Sequence, residues 1–231
     1  MTRLPAILLL SAIPLLSFSQ LLQVTAGATA ARAAGCVGNE SISGNILAGY
    51  TLGMYGDIPL KRGGNCAFRC GLVLTRWGSR FVAGGPGYTG ATRPLGLSYL
   101  QSPVLFVQRF ALSLMTSLVI GAGSYAACRI NSPSQAFKVD RMNNHSYGAL
   151  YPGDGSNMNY YNRLDYGFSF HCSVEIHDRY TVSLQYDHGL RNILDHSGGA
   201  GLYNRAISLS FGYYLNMRKF LNGQFPLSKS N

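Results

Sequence analysis

The stretch YNRAISLSFGYYL, from Tyr203 to Leu215, constrains the fold more than any other part of the chain. Its alternate residues fall into two unlike sets. Arg205, Ile207, Leu209, Phe211, Tyr213 and Leu215 are large and mostly apolar; Asn204, Ala206, Ser208, Ser210, Gly212 and Tyr214 are mostly small or polar. Successive side chains of an extended chain point to opposite faces, so this pattern describes a strand with one greasy and one polar side. The pattern recurs. Strands are expected over about 45–54, 65–75, 79–89, 97–108, 115–129, 164–176, 180–191 and 203–215. Most approach the roughly 9–11 residues with which a tilted strand crosses a bilayer.

Which solvent meets the greasy side is decided by composition. Only 12% of the chain is charged, against about 25% for an average globular protein. Glycine (28) and tyrosine (15) are heavily used. The polar rows, such as Asp165, Gly167, Ser169, His171, Ser173 and Glu175, would make an unusually Gly- and Ser-rich water-facing surface. They fit the interior of a narrow barrel instead. Ile207, Leu209, Phe211 and Tyr213 are therefore expected to face lipid, with tyrosines near the row ends as an interfacial girdle. Arg69, Asp165, Glu175 and Asp187, together with Arg129, are expected to form a charge network in the lumen, because an unpaired buried charge is costly.

The connections carry a second signal. RWG at 76–78, HDR at 177–179 and a few residues around Arg109–Ser113 read as short turns. The longest connection, about 130–163, is rich in Asn, Ser, Gly and Pro. Short turns on one rim and long loops on the other describe a meander across a membrane, with the short turns periplasmic and 130–163 outside. The expected fold is all-β: a single antiparallel up-and-down transmembrane β-barrel of about eight strands.

The N-terminus fits an exported protein. One Arg precedes an apolar stretch from Leu4 to Phe18, followed by small residues, which is signal-peptide architecture. Cleavage sites ending at Ser19, Ala30 or Ala33 all suit the pattern. The chain divides into a signal peptide and leader over 1–34, a barrel domain over 35–215 and a periplasmic tail over 216–231. The basic excess, 19 against 9, is scattered rather than clustered, which excludes a nucleic-acid patch and suits the phosphates of outer-membrane lipid and lipopolysaccharide. Five cysteines without regular spacing make neither a disulfide framework nor a metal site, and no cofactor is expected.

LSYLQSPVLFVQRF followed by LVIGAGSYAACRI resembles the central hairpin of PorT-like small outer-membrane β-barrels. YNRLDYGFSFHCSVEI, YTVSLQYDHGLRNI and RAISLSFGYYL resemble that family's last three strands. The resemblance spans about 45–215. It implies an OmpA-like eight-stranded architecture and an envelope or secretion-associated role, with envelope or secretion-system proteins as partners. Fold likeness alone does not transfer an activity. Two other readings use the same residues. His171 and Ser173, in a His-x-Ser arrangement, would suit a lipid A-modifying barrel hydrolase of the PagL type. A soluble exported barrel could hold an apolar ligand. The leading expectation is non-enzymatic, with a narrow packed lumen.

Overall fold

The computed structural model describes residues 21–37, 40–60, 65–82, 92–131, 135–142, 145–152, 162–177, 179–194 and 200–216. Its strands are β1 (Leu21–Val37), β2 (Glu40–Ser43), β3 (Asn45–Pro59), β4 (Cys66–Val82), β5 (Thr92–Ser113) and β6 (Thr116–Arg129), then β7 (Gln135–Met142), β8 (His145–Pro152), β9 (Leu164–Ile176), β10 (Tyr180–Gly189) and β11 (Ala200–Asn216). Eight of them, all but β2, β7 and β8, follow one another around a single antiparallel sheet. β1 then pairs with β11 from Leu21↔Asn216 to Val37↔Ala200, and the sheet closes into a barrel. Closure leaves none of these eight strands as an unpaired edge.

Three of the expected features are corrected. The segment Leu21–Val37, of which 21–34 is assigned above to the leader, is a barrel strand. Its outward row is Val24, Ala26, Ala28 and Ala30, and its inward row includes Gln23, Thr25 and Thr29. Alanine is too weakly apolar for that alternation to stand out, and a cut after Ala30 or Ala33 would sever the strand that closes the barrel. Next, 65–75 and 79–89 are not separate strands. RWG lies inside β4, so Arg76–Gly78 is not a turn. Alternation runs through it unbroken, with Val73, Thr75, Trp77 and Ser79 inward and Arg76 and Arg80 outward. Gly78 marks a close backbone approach rather than a reversal: its φ is 150°, and a Cβ there would stand 1.9 Å from the Leu95 carbonyl oxygen. Finally, the long connection after β6 holds its own β7–β8 hairpin, outside the barrel sheet. The leader before residue 21 and the tail after 216 lie outside the described residues.

The strand order places the connections on two rims. The chain passes from β3 to β4, from β5 to β6 and from β9 to β10 at the rim where β1 begins and β11 ends. It passes from β1 to β3, from β4 to β5, from β6 to β9 and from β10 to β11 at the other. Short and long connections are thus segregated as expected, although the connection between β3 and β4 takes the place of the turn expected at 76–78.

The two faces are sharply unlike. Ile207 and Leu209 are 51% and 49% exposed, whereas Ala206 and Ser208, which alternate with them, are 2% and 7% exposed. The interior has two layers. Toward the short-turn rim polar and charged side chains fill most of it, beside a small apolar cluster of Ala67, Leu105, Val107 and Val119. Toward the long-loop rim it is an apolar core of Trp77, Leu95, Leu97, Tyr99, Tyr125 and Leu202, among others. Trp77 meets Tyr99 at 5.1 Å and Tyr125 at 5.5 Å between ring centroids. Ile193 and Leu194, from the connection after β10, complete this core. Asn162 pins that connection by donating to the Asn192 and Leu194 carbonyls, while the Asn192 side chain accepts from the Leu194 and Leu202 amides.

Candidate functional site

The polar layer is organised by Arg69, on β4, which is fully buried. Its Nε donates to Asp57 Oδ1 at 2.7 Å and its Nη2 to Asp57 Oδ2 at 2.8 Å, the fork-on-fork pairing that suits a planar guanidinium. Nη2 also donates to Tyr214 Oη at 2.8 Å and lies 3.4 Å from Glu175 Oε1. Tyr214 in turn donates to Glu175 Oε1 at 2.5 Å. Arg109, one-third exposed, reaches in from β5 and donates to both Glu175 oxygens, at 2.7 and 3.0 Å, with Asp57 Oδ2 3.5 Å away. Two arginines and two carboxylates therefore form a closed set with no net charge. β3, β4, β5, β9 and β11 each supply one member, so the cluster ties together most of the barrel's circumference.

Residues 18–195, well over half of the chain, match the model of the outer membrane protein beta-barrel domain. The chain belongs to that family. No curated protein matches it in sequence. Solved structures similar to this barrel include Ail, the attachment invasion locus protein of Yersinia pestis, at 11% identity and a TM-score of 0.39, covering 85% of this chain and 99% of that one. OprG from Pseudomonas aeruginosa is 7% identical, with a TM-score of 0.48 and coverage of 86% and 96%. The outer membrane enzyme PagL is 16% identical, with a TM-score of 0.42 and coverage of 80% and 97%. Identities this low say nothing of activity.

In an outer-membrane barrel the outward row meets lipid, and the row Ile207, Leu209, Phe211 and Tyr213 is on that side. The lumen residues expected from sequence divide into separate groups. Arg69 and Glu175 meet in the cluster described above. Asp187 lies elsewhere and is held by neutral donors: Gln185 Nε2 at 3.0 and 3.2 Å, Gln101 Nε2 at 3.3 Å and the Ser169 hydroxyl. Tyr55 donates to Gln185 Oε1 at 3.2 Å and extends this group across the lumen. Asp165 accepts from Asn204 Nδ2 at 2.7 Å. Arg129 is buried near the long-loop rim, a dozen residues along β6 from Ser117, the residue that Glu175 pairs with. One network was expected; the lumen holds several small ones, because an eight-stranded interior is filled locally by side chains.

His171 and Ser173 do touch, with Nε2 3.2 Å from Oγ. The same Nε2 lies 3.0 Å from Arg69 Nη1. A guanidinium can only donate, so this contact requires Nε2 to present its lone pair to Arg69. That lone pair is the one a base would use on the Ser173 proton. Nδ1, which an orienting carboxylate would hold in a catalytic triad, is buried without a partner among the described residues. Both side chains are buried and face the lumen.

Asp57, Arg109 and Tyr214 are missed in the sequence reading. Asp57 lies just beyond the expected end of its strand, and Arg109 sits in a segment read as a turn. Tyr214 stands in the mostly small or polar row of the last strand. Its place in that row was the available signal, since a large hydroxyl-bearing side chain pointing inward needs a partner. Among the described residues no His, Cys, Asp and Glu gather into a metal site. Cys66, Cys70, Cys128 and Cys172 are free thiols.

Proposed function

We propose that this barrel is a non-enzymatic protein of the bacterial outer membrane, exported by the segment preceding β1, with a structural or assembly role in the envelope and no open pore. The observation that carries the reading is the filling of the lumen. The neutral cluster of Asp57, Arg69, Arg109 and Glu175 spans it toward one rim, and the aromatic and aliphatic core around Trp77 fills it toward the other. The short-turn rim faces the periplasm. The long-loop rim faces outside, where its connections, including β7 and β8, present surface to envelope or secretion-system partners. Lipopolysaccharide and other outer-membrane lipid surround the wall.

Purified barrel reconstituted into planar bilayers tests this. The expected record has no stable conducting steps of the kind a water-filled porin gives. Lipid A incubated with the same preparation keeps all its acyl chains by mass spectrometry. Steady open-channel conductance would overturn the closed lumen. Loss of an acyl chain that disappears with Ser173→Ala or His171→Ala would make the hydrolase reading the better one.

A further inference from the structure

The seam that closes the barrel places two like charges face to face. Arg32 on β1 and Arg205 on β11 are direct cross-strand partners. Both belong to the outward rows of their strands, Arg32 exposed and Arg205 half-buried. Residues directly opposite in an antiparallel pair hold their Cβ atoms about 5 Å apart, and like charges there destabilise the pair. A carboxylate nearby would offset the repulsion, and none of the described side chains of the outer wall supplies one. Asp57, Asp165, Glu175 and Asp187 all point into the lumen, so the outward face carries no acid among the described side chains. Arg205 instead donates to two backbone oxygens, those of Gly189 at 2.6 Å and Asn204 at 3.0 Å, and its guanidinium stands 6.0 Å over the Tyr203 ring. His188, also on the outward row, is the partner of Arg205 on β10, with Nδ1 3.2 Å from the Tyr186 hydroxyl.

The height of the pair suggests what neutralises it. Going up β11 from the short-turn rim, the outward row is Leu215, Tyr213, Phe211, Leu209 and Ile207, then Arg205. Going up β1 it is Val24, Ala26, Ala28 and Ala30, then Arg32. The apolar rows of both strands end at the same register. From Val24 to Arg32, and from Tyr213 to Arg205, is eight residues, about 26 Å of strand or about 20 Å along the membrane normal at the usual tilt, which approaches the height of a barrel's apolar band. The lower edge of that band carries Tyr180 and Tyr213, ring centroids 5.5 Å apart. The arginines therefore stand at the upper edge, at the depth of the outer leaflet's headgroups.

We infer that Arg32 and Arg205 form a seat for the phosphate group of an outer-leaflet lipid, with His188 at its margin. Guanidinium groups match phosphate oxygens with paired, charge-assisted hydrogen bonds. One dianionic phosphate relieves the repulsion across the seam. The inference rests on the lipid-facing reading of the outer wall, and is separate from the closed lumen.

Native mass spectrometry of the detergent-solubilised full-length barrel tests it, with diphosphoryl lipid A, its dephosphorylated form and inorganic phosphate as probes. The barrel should retain diphosphoryl lipid A about tenfold or more tightly than the dephosphorylated form, as loss of charge-assisted bonds implies. Arg32→Gln combined with Arg205→Gln should lower that retention by a similar factor. Arg179→Gln, at the opposite rim, should leave it unchanged. Each variant is checked for heat-modifiable gel mobility, and Arg32→Lys with Arg205→Lys serves if the glutamine pair fails to fold; losing the fork while keeping charge, it should retain lipid A between the other two. In detergent without anionic lipid, Arg205→Gln alone should raise the unfolding midpoint. Equal retention by the folded glutamine or lysine pair would overturn the seat while leaving the barrel reading intact. So would equal retention of dephosphorylated lipid A, an equal loss in Arg179→Gln, or inorganic phosphate binding as tightly as the lipid.

Discussion

Replacing Arg69 with methionine is the most informative perturbation of the lumen. Methionine is close in length and lacks the charge and all five donors. Asp57 would lose its two bonds of 2.7 and 2.8 Å from Arg69, while Arg109, 3.5 Å away and one-third exposed, would stay beside it. Glu175 would keep both bonds from Arg109, so its loss is small. The cost is thus essentially that of one buried carboxylate stripped of its partner, about 3–5 kcal/mol. Adding Asp57→Asn removes the stranded charge, so the double variant should recover about half of the loss rather than adding to it. The chain has a single tryptophan, and Trp77 lies in the lumen core above the cluster. Its emission therefore reports directly on the barrel interior during urea unfolding in vesicles, with heat-modifiable mobility as the independent signal. A cost under about 1 kcal/mol for Arg69→Met, or a double variant less stable than either single one, would refute the view that this cluster is a coupled buried ion set.

Leu209→Arg, in the middle of the lipid-facing row, should destabilise the inserted barrel by about 2–4 kcal/mol, whereas Ser208→Arg should act through the lumen, where the Ser208 hydroxyl bonds Thr29 at 2.9 Å; normal membrane assembly of Leu209→Arg would contradict the outward assignment. A cysteine at Leu114, at the fully exposed tip of the turn between β5 and β6, should react with a membrane-impermeant maleimide only after the periplasm is opened; labelling on intact cells would invert the topology. Glu175→Arg should lower the urea midpoint by repelling Arg69 and Arg109, and Arg109→Glu in the same chain should restore part of it; no recovery would mean that Glu175 is not held by that pair.

Local chemistry alone determined which side of each strand faces which solvent. The alternation of Ile207, Leu209 and Phe211 with Ala206, Ser208 and Ser210 is a property of neighbouring residues, so it survives without knowledge of the fold. So do the HDR turn and the length of the connection after β6. What the sequence could not disclose is what depends on residues far apart along it. β1 is a strand because its weakly apolar row is completed by pairing with β11 and β3, and an alanine-rich segment carries little sign of that by itself. RWG stays inside β4 because Trp77 has an apolar layer to enter, built by β5, β6 and the Ile193–Leu194 connection. The expected charge network resolved into local groups for the same reason. Asp57 and Glu175 are 118 residues apart, yet both reach Arg69 and Arg109, since closure brings β3, β4, β5 and β9 around one narrow lumen. Arg32 and Arg205 are ordinary rim arginines until the first and last strands pair. Only closure of the barrel sets them side by side, because partners across a seam are chosen by the register of the whole sheet and not by the residues beside them.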